Sequence, residues 1–194
     1  GFVIDYLTYG GLYREVWLEA TAESRLTDLF VYTPTLQEAV VQWTAELTPA
    51  AAAVRIRLET TEGTLLAEQT APAAETGKMQ LSVPEAQPWD TEHPVLHHAV
   101  AELLNAAGQP IDRKQVTFGF RTAEFRADGF YLNGKKTFLR GLNRHQSYPY
   151  IGYAAPESLQ REDARILQEE LHCTAVRTSH YPQSQYFLDE CDRR

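Results

Sequence analysis

Two short stretches in the second half of the chain concentrate groups that carry charge and exchange hydrogen bonds: Arg140-Gly141-Leu142-Asn143-Arg144-His145 and Arg177-Thr178-Ser179-His180-Tyr181-Pro182. Each closes a strand-like run, Thr137–Asn143 and Cys173–Thr178, so each places an Arg and a His at the carboxyl end of a strand. If the two strands are parallel, those ends open on one mouth, where loops converge and ligand-binding or catalytic groups collect. Period-two alternation puts Gly141, Asn143 and His145 on one face, with the small Gly141 leaving room beside them. It puts Arg177 and His180 on opposite faces, so the backbone must leave strand geometry before His180 if both are to reach one site, and Pro182 favours that departure. A lone histidine or arginine is commonly a satisfied structural residue. Two Arg/His clusters at equivalent strand ends are less easily dismissed, and the pattern alone leaves a functional and a structural role equally open, with Asn143, His145, Arg177 and His180 as candidate binding residues.

Other candidates are weaker. His93, His97 and His98 resemble a metal cluster in composition only, since their spacing fits no common zinc pattern and they open a strand. Cys173 and Cys191 form no Cys-x-x-Cys pair and are expected as buried free thiols. Trp43 and Trp89 are expected in a core or on a sheet face. Tyr148, Tyr150 and Tyr153 either line the mouth or pack their own loop, and the sequence leaves that choice open. Asp112, Glu162 and Asp163 are expected as solvated charges in a turn and on a helix face. No metal site is expected in the chain.

The elements that must position these groups change character along the chain. From Asp28 to Glu124 short apolar or alternating runs are separated by turn residues, the pattern of an all-β sandwich without helix. Strands are expected at Asp28–Thr33, Glu38–Leu47, Ala53–Glu59, Lys78–Val83, Val95–Asn105 and Gln115–Glu124. Six or seven strands in about 100 residues fit an immunoglobulin-like module, here without any cysteine to form the antibody disulfide. After Phe125, Asp128-Gly129 and Asn133-Gly134 bracket Phe130-Tyr131-Leu132 as a small hairpin. Then strand alternates with helix. Thr137–Asn143 reads as a strand. Pro156 stands where a first helical residue would, and Leu159, Ile166, Leu167 and Leu171 recur at helical spacing through Gln160–Glu170, an amphipathic helix of about four turns. Cys173–Thr178 is a strand, and Tyr186, Phe187 and Cys191 suggest a second helix. Such alternation implies parallel strands covered on both faces. Two βα units cannot supply that, and the remaining strands of a (β/α)8 barrel or open sheet are expected beyond Arg194. Leu12–Ala20 alternates like a strand left over from an upstream domain. The expected architecture is thus mainly β: residues 1–20 as that last upstream strand, 21–124 as the sandwich, and 125–194 as the first two βα units of an incomplete barrel.

Composition sets outer limits. The 194 residues are 43% hydrophobic, enough for real cores. Eighteen Lys and Arg stand against 26 Asp and Glu, a net charge of −8, which argues against nucleic acid or an anionic membrane surface as main partner. No run approaches a membrane span, and Gly1 opens without a basic start and apolar signal core, leaving a cytoplasmic location as the expectation.

At Ala175-Val176-Arg177-Thr178-Ser179-His180-Tyr181-Pro182 followed by Phe187-Leu188-Asp189-Glu190-Cys191-Asp192-Arg193, the chain closely resembles glycoside hydrolase family 2, the family of bacterial β-galactosidases and β-glucuronidases. That signature is long and specific. Supporting matches are Phe118-Gly119-Phe120-Arg121-Thr122, Asn133-Gly134-Lys135, Arg140–His145, and Gly11-Leu12-Tyr13-Arg14-Glu15-Val16-Trp17-Leu18. One departure is visible, because Thr174 stands where the signature usually has Asn. The resemblance implies a three-part enzyme with a jelly-roll sugar-binding domain, an immunoglobulin-like domain and a catalytic barrel. It implies a retaining mechanism with two glutamates from later barrel strands, neither in this chain, so no catalytic acid, base or nucleophile is assigned and the chain alone is expected to be inert. Family galactosidases carry Asn-Arg-His where this chain has Asn143-Arg144-His145, whereas glucuronidases resemble Gly-Arg-His, which favours a β-galactoside as substrate. By the same matching, His145, Arg177 and His180 line the sugar subsite. The resemblance implies no cofactor held within this chain and leaves use of Mg2+ or Na+ by the whole enzyme open, with any ligands beyond this chain. It leaves a homo-oligomer open. The alternatives are another family 2 specificity (β-glucuronidase or β-mannosidase), a non-catalytic β-sandwich scaffold, or a small carbohydrate-binding protein with galactose affinity of its own.

Overall fold

A computed structural model describes residues 10–178 and 180–194. Two compact units emerge: one is Glu19–Lys136, and the other joins the described part of Gly1–Leu18 to Thr137–Arg194.

The first unit is built on a seven-stranded sandwich, as the alternating runs require. One sheet pairs β1 (Arg25–Thr35), β2 (Glu38–Glu46) and β5 (Thr76–Ser82) in the order β1-β2-β5; the other pairs β3 (Ala53–Thr60), β4 (Leu65–Pro72), β6 (His97–Leu104) and β7 (Pro110–Phe118) in the order β4-β3-β6-β7. All of these pairings are antiparallel. Every second residue points inward: Ala39, Val41, Trp43 and Ala45 from β2, Met79 and Leu81 from β5, Val54, Ile56 and Leu58 from β3, and Ala99, Ala101 and Leu103 from β6 all join one core. Gly77 is required by that packing, since a Cβ there would stand 2.1 Å from the Trp43 ring.

Strand β6 is central and covered on both faces, which buries Glu102 to 6% exposure. Its carboxylate accepts bonds from Arg55 at 2.6 and 2.9 Å and from Arg57 at 3.3 Å, two cross-strand neighbours that offset its desolvation. His97, at the start of the same strand, packs its ring 5.1 Å from Phe120 and 5.9 Å from Phe118. Burial lowers its pKa, against the Glu62 charge that raises it and with the His98 charge that also lowers it. His97 is therefore a core residue with Nδ1 unbonded among the described residues.

A meander follows, β8 (Ala123–Arg126), β9 (Gly129–Leu132) and β10 (Lys135–Lys136), with Asn133 (φ 53°) and Gly134 (φ 76°) making the left-handed turn between the last two. The expected strand Gln115–Glu124 is in fact two: β7 begins earlier at Pro110 and stops at Phe118, and past it Phe120 bridges Pro88 instead, its carbonyl accepting the Trp89 amide at 2.9 Å. Strand β4 was not expected. It is a sheet edge rich in Ala, Glu, Gln and Thr, with little apolar alternation to announce it. Asp112, expected as a solvated turn charge, lies within β7 and accepts the Leu26 amide at 2.7 Å, tying the two sheets together.

In the second unit, β11 (Gly141–Asn143) and β12 (Ala175–Arg177) pair in parallel, with Gly141 opposite Ala175, Leu142 opposite Val176 and Asn143 opposite Arg177. The strand expected over Thr137–Asn143 is confined to its last three residues, where a partner exists. Between β11 and β12 runs α1 (Glu157–Arg165), extended by a π turn over Ile166–Glu170 in which the Leu171 amide bonds the Ile166 carbonyl five residues back. Pro156 precedes the helix in extended conformation rather than opening it. Helix α2 (Gln185–Arg193) follows β12. The expected apolar stripe of α1 is not its buried face. Gln160 and Ala164 are buried, whereas Leu159, Ile166 and Leu167 are half-buried and Leu171 is exposed. Leu12–Ala20 forms no strand, and residues 1–9 of the expected upstream segment lie outside the described residues. Among the described residues no helix is long and apolar enough to cross a membrane.

Candidate functional site

The parallel pair β11–β12 sets the geometry. Its strands approach so closely that a Cβ at Gly141 would lie 1.9 Å from the Ala175 carbonyl oxygen, so glycine is needed for the pairing itself rather than to leave room in a cavity. The ladder continues one step past the strands, the Arg144 amide donating to the Arg177 carbonyl at 2.9 Å. Along this segment exposure alternates: Asn143 exposed, Arg144 buried, His145 exposed, Gln146 buried. Asn143 and His145 therefore project to the side opposite Arg144.

The four candidate residues gather as two pairs. Arg177 Nη1 donates to Asn143 Oδ1 at 3.4 Å, on directly opposed positions of the ladder. The His145 and His180 rings meet edge to face with centroids 5.9 Å apart. Tyr181 attaches the second pair to its surroundings: its hydroxyl lies 3.3 Å from His145 Nδ1 and accepts the Gln146 amide at 3.1 Å, while its ring stacks 5.1 Å from Tyr153. Arg14 reaches into the same shell, donating to the Tyr153 carbonyl at 3.1 Å and to Gln146 Oε1. Exposed guanidinium, amide and imidazole groups on two adjacent strand ends can bind vicinal hydroxyls and orient a carboxylate. Ser179, between Arg177 and His180 in the signature, lies outside the described residues.

Sequence reasoning missed what lies beneath. Arg144, only 5% exposed, is the hub of the unit. Its Nε and Nη2 donate to Asp163 Oδ2 at 2.9 and 2.7 Å, Nη2 to Gln160 Oε1 at 2.8 Å and Nη1 to Gln183 Oε1, and the guanidinium lies 4.0 Å over the Phe187 ring. Asp163 is thus no solvated charge: its other oxygen accepts the Tyr148 hydroxyl, and its side chain is 22% exposed. Burial raises the Tyr148 pKa, with the hydrogen bond to Asp163 and its negative charge adding to the effect, so the phenol stays protonated as the donor. Of the three loop tyrosines, Tyr148 and Tyr153 pack the loop, and Tyr150 (φ 70°) is fully exposed. Glu190, within the signature, joins α2 to α1 through Arg161 at 3.1 Å and also accepts from Arg194 at 2.7 Å. Both cysteines are half-buried rather than buried, and burial pushes the Cys191 thiol up to about 11.

Among the described residues no group of three or more His, Cys, Asp or Glu side chains could hold a metal ion. No chemical step is assigned to a metal here.

Comparison with known proteins agrees with this architecture. The model of glycosyl hydrolases family 2 matches residues 24–121, and that of the family 2 TIM barrel domain matches residues 123–194. The chain belongs to glycosyl hydrolases family 2. It is 38% identical over 201 residues to a β-galactosidase of Thermoanaerobacter pseudethanolicus, covering 99% of this chain and 27% of that protein, and 36% identical over 207 residues to a β-galactosidase of Rhizobium meliloti, covering 100% and 27%. It is also similar to the solved β-glucuronidase of Bifidobacterium dentium complexed with coumarin-3-O-glucuronide, with TM-score 0.80 and 29% identity over 89% of this chain and 29% of that one. The chain spans about a quarter of the length of the curated relatives it matches.

Proposed function

We propose that this chain is the portion of a retaining exo-β-galactosidase that supplies its immunoglobulin-like domain and the first wall of its sugar subsite. The observation that carries the reading is the pairing of Asn143 with Arg177 and of His145 with His180 at the carboxyl ends of two parallel strands, within an Asn-Arg-His sequence. In that role these side chains bind hydroxyls of a terminal β-D-galactose and hold it against two glutamates contributed by later barrel strands. Retaining glycosidases place those carboxyl groups about 5 Å apart, one as nucleophile and the other as acid and base. The carboxylate beneath the subsite, Asp163, is committed to Arg144 and Tyr148 and plays neither part. The chain alone then turns over no glycoside.

The test is an assay of the full-length enzyme on chromogenic β-galactoside and β-glucuronide side by side, with this chain alone as control. Turnover of the galactoside by the full-length enzyme only is the expected result. Preference for the glucuronide overturns the substrate, and hydrolysis by this chain alone overturns the division of labour.

A further inference from the structure

Beneath the exposed pairs lies a device that no sugar contact accounts for. Arg144 sits between Asn143 and His145 in sequence, yet its side chain turns the opposite way and makes four hydrogen bonds, two to Asp163, one to Gln160 and one to Gln183, with a face on Phe187. These partners come from α1, from the segment before α2, and from α2 itself, so one guanidinium joins the end of β11 to the elements that flank both strands. Its backbone amide is also the bond that extends the ladder to β12. A planar fork with five donors fixes rotation as well as distance, which a lysine ammonium cannot do. Asp163 in turn is held by the Tyr148 hydroxyl, so the fork closes on a carboxylate that cannot swing away.

We infer that Arg144, clamped by Asp163 and Tyr148, is the positioning residue of the sugar subsite, fixing the direction in which Asn143 and His145 project without touching the substrate. Because residues on either side of a locked strand position point oppositely to it, a small rotation at Arg144 displaces both neighbours at once. This role rests on the reading that these residues line a glycoside subsite, and the test separates the two claims.

In the full-length enzyme, Arg144→Lys keeps the charge and removes the fork, and Tyr148→Phe removes only the outer hydroxyl. Arg144→Lys is expected to lower kcat by about 100-fold, the scale on which misplacement of about 1 Å acts, with a much smaller change in KM. Tyr148→Phe should move kcat in the same direction by less. Arg144→Ala should regain part of its kcat when guanidinium ion is added, because the ion fills the vacated fork. Independently of turnover, the imidazole 1H–15N resonances of His145 and His180 should shift together in Arg144→Lys. A folded Arg144→Lys enzyme with kcat within about twofold of wild type and unmoved imidazole resonances overturns the inference. So does a loss of kcat that tracks the melting temperature alone and is not restored by guanidinium. If the wild type turns over neither glycoside, the functional reading fails, and the imidazole resonances alone decide the clamp.

Discussion

The sandwich and the β11–β12 unit solve the same problem, burying one face of a sheet, with opposite success. In the sandwich the inward faces of two sheets meet each other, and Val41, Val54, Ile56, Leu58, Ala99, Ala101, Leu103 and Phe120 are fully buried. In the other unit two short parallel strands and two helices leave Phe138 at 85%, Trp17 at 74% and Leu12 at 86% exposure, with Leu139, Leu142 and Leu171 also open. Parallel strands normally read as apolar because both their faces are covered, and here apolar residues are present while their cover is not. Beside a small buried set of Phe187, Ala164, Tyr153 and Ala155, the smaller unit relies on polar contacts, the Arg144 fork and the Glu190 ion pairs. One region is stabilised by an extensive core, the other chiefly by specific directional contacts around the candidate site.

Substitutions in each region should break it separately. Phe120→Ala removes a fully buried ring at the centre of the aromatic cluster and should destabilise the sandwich by about 3–5 kcal/mol in denaturant titration. Gly141→Ala forces a methyl group onto the Ala175 carbonyl and should cost about 1–3 kcal/mol. Its effect should appear as faster proteolysis within residues 137–194, with the sandwich transition unmoved. If Phe120→Ala and Gly141→Ala shift one common transition by comparable amounts, the two regions are not independent.

A smaller, pH-dependent effect sharpens the comparison. The folded-state pKa of His97 is lowered chiefly by burial, so at acid pH the unfolded chain takes up a proton that the folded sandwich resists. The stability associated with His97 is therefore complete above the ordinary histidine pKa near 6.5 and is lost as pH falls from there through the depressed folded value. Denaturant midpoints of the sandwich measured from pH 7.5 to 5 should fall, and His97→Gln should flatten that slope. An unchanged slope in the variant would assign the acid sensitivity elsewhere.

How much of this was legible in the sequence follows from which interactions are periodic. The core strands β2, β3 and β5 announce themselves because buried apolar residues recur every two positions, and β6 because it is a short, nearly continuous apolar run. Strand β4, an edge with half its face in water, carries no such pattern. Asn143, His145, Arg177 and His180 could be singled out because strand ends with matching Arg and His are visible in one dimension. The fork could not: Arg144 and Asp163 are 19 residues apart, and a carboxylate on a helix face reads the same whether it meets water or a buried guanidinium. The apolar spacing of α1 was visible too, yet Gln160 and Ala164 are the buried positions, since Arg144 draws the polar face of the helix inward.

Native-state hydrogen exchange on this chain, in a preparation shown to be monomeric, tests the contrast between the regions most directly. Amides of β2, β3 and β6 should exchange near the global unfolding limit, and those of Ile166–Val176 much faster, because few covered apolar contacts hold that stretch. Protection across Ile166–Val176 equal to that of the sandwich strands would contradict the claim that the sandwich alone is self-sufficient.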